Sequence, residues 1–281
     1  MTNFEFETFD SGHLVINQQH VSLFRAAGLT TFDAMYNYEE AEVKKQLLKE
    51  RVTSYFLLSD EDRQPIKFYL KRHTPSPWKE YIKPLLRFRK PILGAKNEWD
   101  AMIRFHQAGI PTMVPVAYGE LRGHSLLVTE SLNDCVKLSD WMRQSLPQKS
   151  QAYHDDSSAS AKSIIEEVAR LARCMHQAGM HHQDFYLGHL LMEEATSQSA
   201  SPKIHVIDLG RARFQRHLSS RWIVKDLAQL DYSASSFTNR DRADFMQHYL
   251  KRPATSHDQL LIKRIAKKSA AIARHSCKNR L

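Results

Sequence analysis

The chain has 281 residues, 42% of them hydrophobic and 25% charged. That suits one large domain or two lobes with a real core, and it argues against wholesale disorder. No window approaches ~18 consecutive apolar residues, so no transmembrane helix is expected. Lysine and arginine number 40 against 31 acids, a formal charge of +9, which fits a polyanionic partner such as nucleic acid, anionic lipid or a phosphorylated substrate.

The first residues carry acids and no basic stretch ahead of an apolar run, so no cleaved secretory leader is expected. Residues 1–42 read as an N-terminal extension, with a short amphipathic helix between Val15 and Leu29. Residues 43–48, 52–59 and 66–73 then read as an antiparallel meander rich in β-branched and aromatic residues. Pro75 and Pro77 stop its third strand. Residues 78–90 interleave Lys79, Lys83, Arg87, Arg89 and Lys90 with aromatic and leucine side chains. This composition fits a patch for an anionic glycolipid or membrane surface, and equally an ordinary solvated face.

A helix is expected from Asn97 to Gly109, then two short strands around residues 113–121 and 124–131. Residues 147–161 are polar and low in complexity, the composition of a loop. The next stretch is strongly amphipathic: Ile164, Ile165, Val168, Leu171, Ala172 and Met175 recur at helical spacing, and Gly179 supplies the C-terminal stop. A short apolar strand precedes Asp208, and the remainder to 281 reads as helical with a basic tail. The order predicts a small β-rich lobe over 43–130 and a larger helical lobe over 131–281. Three dispersed cysteines, Cys135, Cys174 and Cys277, fit reduced thiols in the cytosol.

The chemistry concentrates in His182-Gln183-Asp184-Phe185-Tyr186-Leu187-Gly188-His189 and in Ile207-Asp208-Leu209-Gly210. Phosphoryl transfer needs an acid to orient the attacking hydroxyl and further ligands for magnesium. In the H-R-D-x-x-x-x-N and D-F-G templates, Asp184 stands at the base position, His189 at the asparagine position and Asp208 at the metal-binding aspartate. The upstream partners are present in order. Lys71 ends the third strand of the meander, with Lys67 as its rival for the phosphates, and Glu98 opens the following helix. Residues 127–132 form the connector, where Glu130 and Leu132 offer backbone groups to adenine. Only 9 glycines occur in the chain, and neither G-x-G-x-x-G nor a P-loop is among its motifs, so phosphate cradling must come from an unusual turn.

From about residue 40 to 235 the sequence resembles the bacterial lipopolysaccharide core sugar kinases of the Kdo/WaaP/InaA type. The residues that carry the resemblance are FYLKRH, KPLLRFRKPILGAKNEWDAM, HHQDFYLGHLL, VIDLGRAR and RWIVKDLAQLDYSA. It implies a two-lobed, protein-kinase-like α+β fold with a small β-rich N-lobe and a larger, mainly helical C-lobe. The implied activity is ATP- and Mg²⁺-dependent phosphorylation of a heptose or Kdo of the lipopolysaccharide inner core, in the cytoplasm or at the cytoplasmic face of the inner membrane. Carried over by position, Asp184 is the catalytic base, Lys71 and Glu98 the ion pair, and Asp208 a metal ligand. His189 is the second candidate metal ligand, and this family favours histidine there. Asp226 is the buried acid bracing the catalytic loop, and His182 packs under that loop.

Two departures bear on substrate. Gln183 replaces the arginine that reads activation-loop phosphate, and no A-P-E follows Asp208, which favours a small-molecule or glycan acceptor over a peptide. The competing readings are a non-catalytic pseudokinase that binds a glycolipid or protein, and a metal-dependent phosphohydrolase built on His181, His182, Asp184, His189 and Asp208. Nucleic-acid binding is not expected, because no recognised module supports it.

Overall fold

The structure is a computed structural model that describes residues 4–39, 41–48, 51–59, 64–75, 94–145, 155–197 and 201–278. The chain divides into two compact units, Met1–Gln107 with Met113–Leu132, and Ala108–Thr112 with Asn133–Leu281.

In the first unit, strands β1 (Phe6–Phe9), β2 (Leu14–Asn17), β3 (Glu42–Leu48), β4 (Arg51–Leu58), β5 (Ile66–His73), β6 (Pro115–Leu121) and β7 (His124–Glu130) form one antiparallel sheet, in the order β1-β2-β6-β7-β5-β4-β3. The meander expected over 43–73 is β3-β4-β5. The segment read as an extension supplies β1 and β2, which continue the sheet beyond β6. Each is only four residues long, too short for alternation to stand out in the sequence. Alternation is clear in β4, where Ser54, Phe56 and Leu58 are buried, and in β5, where Phe68 and Leu70 are buried. The rings of Phe24, Phe56 and Phe68 meet with centroids 5.3–6.2 Å apart. Phe24 comes from the short helix α1 (Val21–Ala26), and α2 (Phe32–Tyr36) adds Phe32 and Met35 to the same core. Side chains alternate across a strand, so Lys71 projects from the face opposite Phe68 and Leu70. On that face it meets α3 (Lys96–Gln107).

The second unit is mainly helical: α4 (Leu138–Ser145), α5 (Asp155–Gln177), α6 (Ser220–Ser233), α7 (Asn239–Leu250) and α8 (Gln259–Lys278). Helix α5 packs on α7, and α6 packs on α8. The α5 stripe is buried as its spacing requires, at Ile164, Ile165, Val168, Leu171, Ala172 and Met175. The helix starts at Asp155, inside the stretch read as a loop, because a run of serines and alanines behind two N-terminal acids is as compatible with a first helical turn as with a linker.

Small strands complete this unit: β8 (Cys135–Lys137), β9 (Met180–His181), β10 (Leu190–Glu193), β11 (Ile204–Val206) and β12 (Arg213–Phe214). They pair as β11-β10-β8 and β12-β9. Gly179 makes the turn from α5 into β9. Its φ is +74°, and a Cβ there would lie 2.3 Å from the Gln215 carbonyl oxygen. Glycine is therefore required by both conformation and space. The turn delivers His182, Gln183 and Asp184 directly after β9.

Candidate active site

In the β-rich unit, Lys71 Nζ donates to Glu98 Oε1 at 2.5 Å. Glu98 stands in the first turn of α3 and is 6% exposed, so its charge is met by the lysine and by the helix N-terminus. Lys67 lies elsewhere on β5, its ammonium 4.3 Å from the centroid of the Tyr55 ring. At the end of β7, the Glu130 N–H bonds to Val114 O and the Ser131 N–H to Lys67 O. Neither bond uses the Glu130 carbonyl or the Leu132 amide. The Glu130 carboxyl lies 3.7 Å from His20 Nε2, and burial raises its pKa. Lys79, Lys83, Arg87, Arg89 and Lys90 lie outside the described residues, as does the tip of the β3-β4 hairpin.

In the helical unit, the loop 182–189 is held from below by one face of α6. Asp226 is fully buried and accepts the backbone N–H groups of His182 (2.7 Å) and Gln183 (2.9 Å). One turn on, Gln229 accepts the Phe185 N–H at 3.3 Å and donates to the Tyr186 hydroxyl at 3.0 Å. At the end of the helix, Ser233 Oγ accepts the Leu187 N–H at 3.0 Å. Positions i, i+3 and i+7 share a helix face, so three polar side chains in one stripe satisfy four loop amides. Burial would by itself raise the Asp226 pKa. His176, whose Nε2 is 3.5 Å from Asp226 Oδ2, and the backbone N–H donors outweigh burial and hold it below the ordinary carboxylate value. The Tyr249 hydroxyl, 2.8 Å from His176 Nδ1, extends this chain of contacts to α7.

His182 is buried in its neutral form. Its Nε2 lies 2.9 Å from Ile207 O and donates to it, which leaves Nδ1 to accept the Asp184 N–H at 3.3 Å. Desolvation lowers its pKa, consistent with a brace and not with a base. His189 has the opposite tautomer. Its Nδ1 is 2.7 Å from Asp184 O, and a carbonyl oxygen can only accept, so the proton sits on Nδ1. In the neutral ring the Nε2 lone pair then faces Asp208 Oδ2 across 3.6 Å. Two acceptors aimed at one gap suit a cation between them. The donor set fits Mg²⁺ through the Asp208 oxygen, with His189 in direct or water-mediated contact. Asp208 adopts a left-handed conformation, φ 60° and ψ 55°, which turns its carboxylate out of β11 toward His189.

Asp184 is the one loop acid with a cation on it. Arg211 Nη1 lies 2.9 Å from both carboxylate oxygens. Gln183 has a positive φ of 72°, and its side-chain amide donates to Arg211 O at 2.8 Å. The loop and the Asp208-Leu209-Gly210-Arg211 turn are thus tied at two points.

The structure therefore brings Lys71 to Glu98 in one unit, and gathers Asp184, His189, Asp208, His182 and Asp226 in the other. Sequence reasoning overlooked Arg211, Gln229 and Ser233. The last two had a readable signal, their helical spacing from Asp226. Among the described residues, no group of three or more His, Cys, Asp or Glu side chains is placed to hold a metal by itself. His181, one of the five residues of the phosphohydrolase reading, stacks on Trp222 with centroids 4.2 Å apart and is fully buried.

The chain has relatives among known proteins. The model of the lipopolysaccharide kinase (Kdo/WaaP) family matches residues 37–249. The lipopolysaccharide core heptose(I) kinase WaaP of Pseudomonas aeruginosa is 37% identical over 198 residues, 66% of this chain and 70% of that protein. The kinase of the same name from Escherichia coli K12 is 34% identical over 227 residues, 76% of this chain and 82% of that protein. A solved structure described as WaaP in complex with acyl carrier protein superposes with a TM-score of 0.69 at 28% identity, covering 92% of this chain and 98% of that one. With the family pattern spanning both units and relatives of this similarity, the chain belongs to the lipopolysaccharide kinase (Kdo/WaaP) family.

Proposed function

We propose that this protein transfers the γ-phosphate of ATP to a sugar hydroxyl of the lipopolysaccharide inner core. Within the choice of heptose or Kdo, the heptose kinases among its relatives favour a heptose. The observation that carries the reading is the anchored loop. Asp184 sits half-buried at its turn, and the loop's far end brings His189 to Asp208. Lys71, steadied by Glu98, contacts the nucleotide phosphates, while the Glu130 carbonyl and Leu132 amide hold adenine. Asp208 and His189 would hold Mg²⁺, which when bound would offset the negative charge that develops during transfer.

Asp184 orients the acceptor hydroxyl. The acceptor oxygen bonds to the γ-phosphorus in line, the bond from that phosphorus to the β-phosphate oxygen breaks, and ADP leaves. The hydroxyl proton passes to the Asp184 carboxylate. His182 and Asp226 act through the loop backbone. None of the helices described is long and apolar enough to cross a membrane. Lys79, Lys83, Arg87, Arg89 and Lys90 supply the positive charge for peripheral contact with an anionic cytoplasmic leaflet. Neither the pseudokinase nor the phosphohydrolase draws support, since the first needs no Lys71–Glu98 pair and the second no nucleotide contacts.

The test is phosphate transfer from labelled ATP to purified core lipopolysaccharide. Asp184→Asn keeps size and polarity but cannot take a proton. It should still show the MgATP-induced rise in melting temperature while turnover falls by ~10²–10⁴-fold. Near-normal transfer by that variant would sink the assignment.

A second partner is favoured by one further feature. The helical unit contains an apolar hollow of about 540 Å³ lined by residues including Met142, Ile165, Leu187, Leu230, Phe245 and Ile265. Its walls are those of a site for an aliphatic chain. An acylated carrier protein is thus a proposed partner; the solved relative is described as a complex with acyl carrier protein.

A further inference from the structure

The Arg211–Asp184 pair is poorly explained by stability. The Arg211 side chain is 59% exposed, and an exposed ion pair typically contributes only ~0–1 kcal/mol. The arginine is nonetheless aimed. Its carbonyl is clamped by the Gln183 amide, so its guanidinium rises from a fixed backbone next to the proposed base.

A second cation stands nearby. Lys225, on α6 immediately before Asp226, is partly buried and forms no ion pair among the described residues. Its ammonium lies 5.7 Å from the centroid of the Trp222 ring, and Trp222 stacks on His181 at the start of the loop. Burial lowers the Lys225 pKa, and Arg211 lowers it further, while Asp184 and Asp226 act in the opposite sense. Asp184 is thus the carboxylate that both cations feel, with Arg211 directly on it, and once that carboxylate turns to an acceptor hydroxyl the two cations repel unless another anion takes its place.

We infer that Arg211 and Lys225 form a subsite for an anionic group of the acceptor sugar, a carboxylate or a phosphate ester, and that its arrival draws Arg211 off Asp184 and leaves the carboxylate to the acceptor hydroxyl. The planar guanidinium fork suits either anion. Acceptor binding and exposure of the base are then one event: until the anion is in place, Asp184 stays occupied. The inference deepens the kinase reading and rests on Asp184 being the base.

The test compares three preparations of core oligosaccharide as acceptor: intact, carboxyl-reduced and dephosphorylated. With the intact acceptor, Arg211→Gln should raise the acceptor KM by about 10–100-fold, the range for a lost hydrogen bond to a charged group, and move the ATP KM by less than about twofold. Lys225→Met should raise the acceptor KM by a smaller factor. One of the two neutralised acceptors should show the same defect with the unsubstituted enzyme and be insensitive to Arg211→Gln; which one identifies the anion. Arg211→Lys, which keeps charge without the fork, should fall between.

A fall in kcat at unchanged acceptor KM would make Arg211 a positioning residue for Asp184 and overturn the subsite. So would wild-type kinetics on both neutralised acceptors. Melting curves separate either result from misfolding. Full transfer by Asp184→Asn would instead refute the kinase assignment, whatever Arg211 does.

Discussion

At the scale of single residues, tautomer and charge state carry most of the argument. His181 is fully buried, and neither ring nitrogen has a hydrogen-bond partner among the described residues. Desolvation lowers its pKa to about 4 from an ordinary 6.5; Asp226 opposes this, while Lys225, His176 and Arg213 reinforce it. Between those values the unfolded chain binds a proton that the folded chain does not, so stability falls as pH drops from about 6.5 toward 4. His181→Phe keeps the stack on Trp222 and removes the titration. Urea midpoints at pH 7 and pH 5 should therefore diverge less in the variant than in the parent. An unchanged difference would mean that His181 takes up a proton in the folded state.

Residue types at motif positions were legible in the sequence, because Lys71, Glu98, Asp184, His189, Asp208 and Asp226 occur in a recognisable order. Which nitrogen of His189 faces Asp208, and what occupies Asp184, were not. Both follow from hydrogen bonds between segments far apart in the chain, and no local pattern encodes those.

At the scale of elements, α6 works as a template for the loop. It is an amphipathic helix whose buried face is polar at Asp226, Gln229 and Ser233, and each side chain meets an amide with no strand or helix partner. Removing one strands a buried N–H. Gln229→Leu should cost ~1–3 kcal/mol of unfolding free energy and lower kcat with little change in the ATP KM. Gln229→Glu, which keeps the acceptor for Phe185, should recover part of both. Urea unfolding with steady-state kinetics checks this; loss of stability without loss of kcat would show that the loop holds its shape unaided. From sequence, Asp226 stood out because it lay in a motif. Gln229 and Ser233 read as ordinary helix surface, since nothing local says that a loop will cross that face.

At the scale of the whole molecule, the meander, the long amphipathic helix and the helical C-terminal region follow from periodicity alone. Strands β1 and β2 do not, and neither does the start of α5. Short strands and serine-alanine runs have weak local preferences, and tertiary packing decides them. The hollow in the helical unit is likewise invisible in sequence, because its lining residues scatter from Met142 to Ala266 and each reads as core. If it receives the acyl chain of a carrier protein, a partner that binds only the folded state stabilises it by mass action. At 100 times the dissociation constant, the acylated form should add about 2.7 kcal/mol of stability, read as a rise in melting temperature. The unacylated form should add much less, and equal shifts would assign the effect to the protein surface alone.

The left-handed backbone at Asp208 has an evolutionary consequence. A residue with a Cβ held there costs on the order of 1–2 kcal/mol, and glycine escapes most of that cost. The residue best for folding at this position is thus not the one present, and only its carboxylate justifies the difference. In a copy of the gene released from selection for phosphoryl transfer but still selected to fold, drift should run from Asp208 toward glycine or asparagine. Position 208 would then be among the first places where such a lineage records the loss.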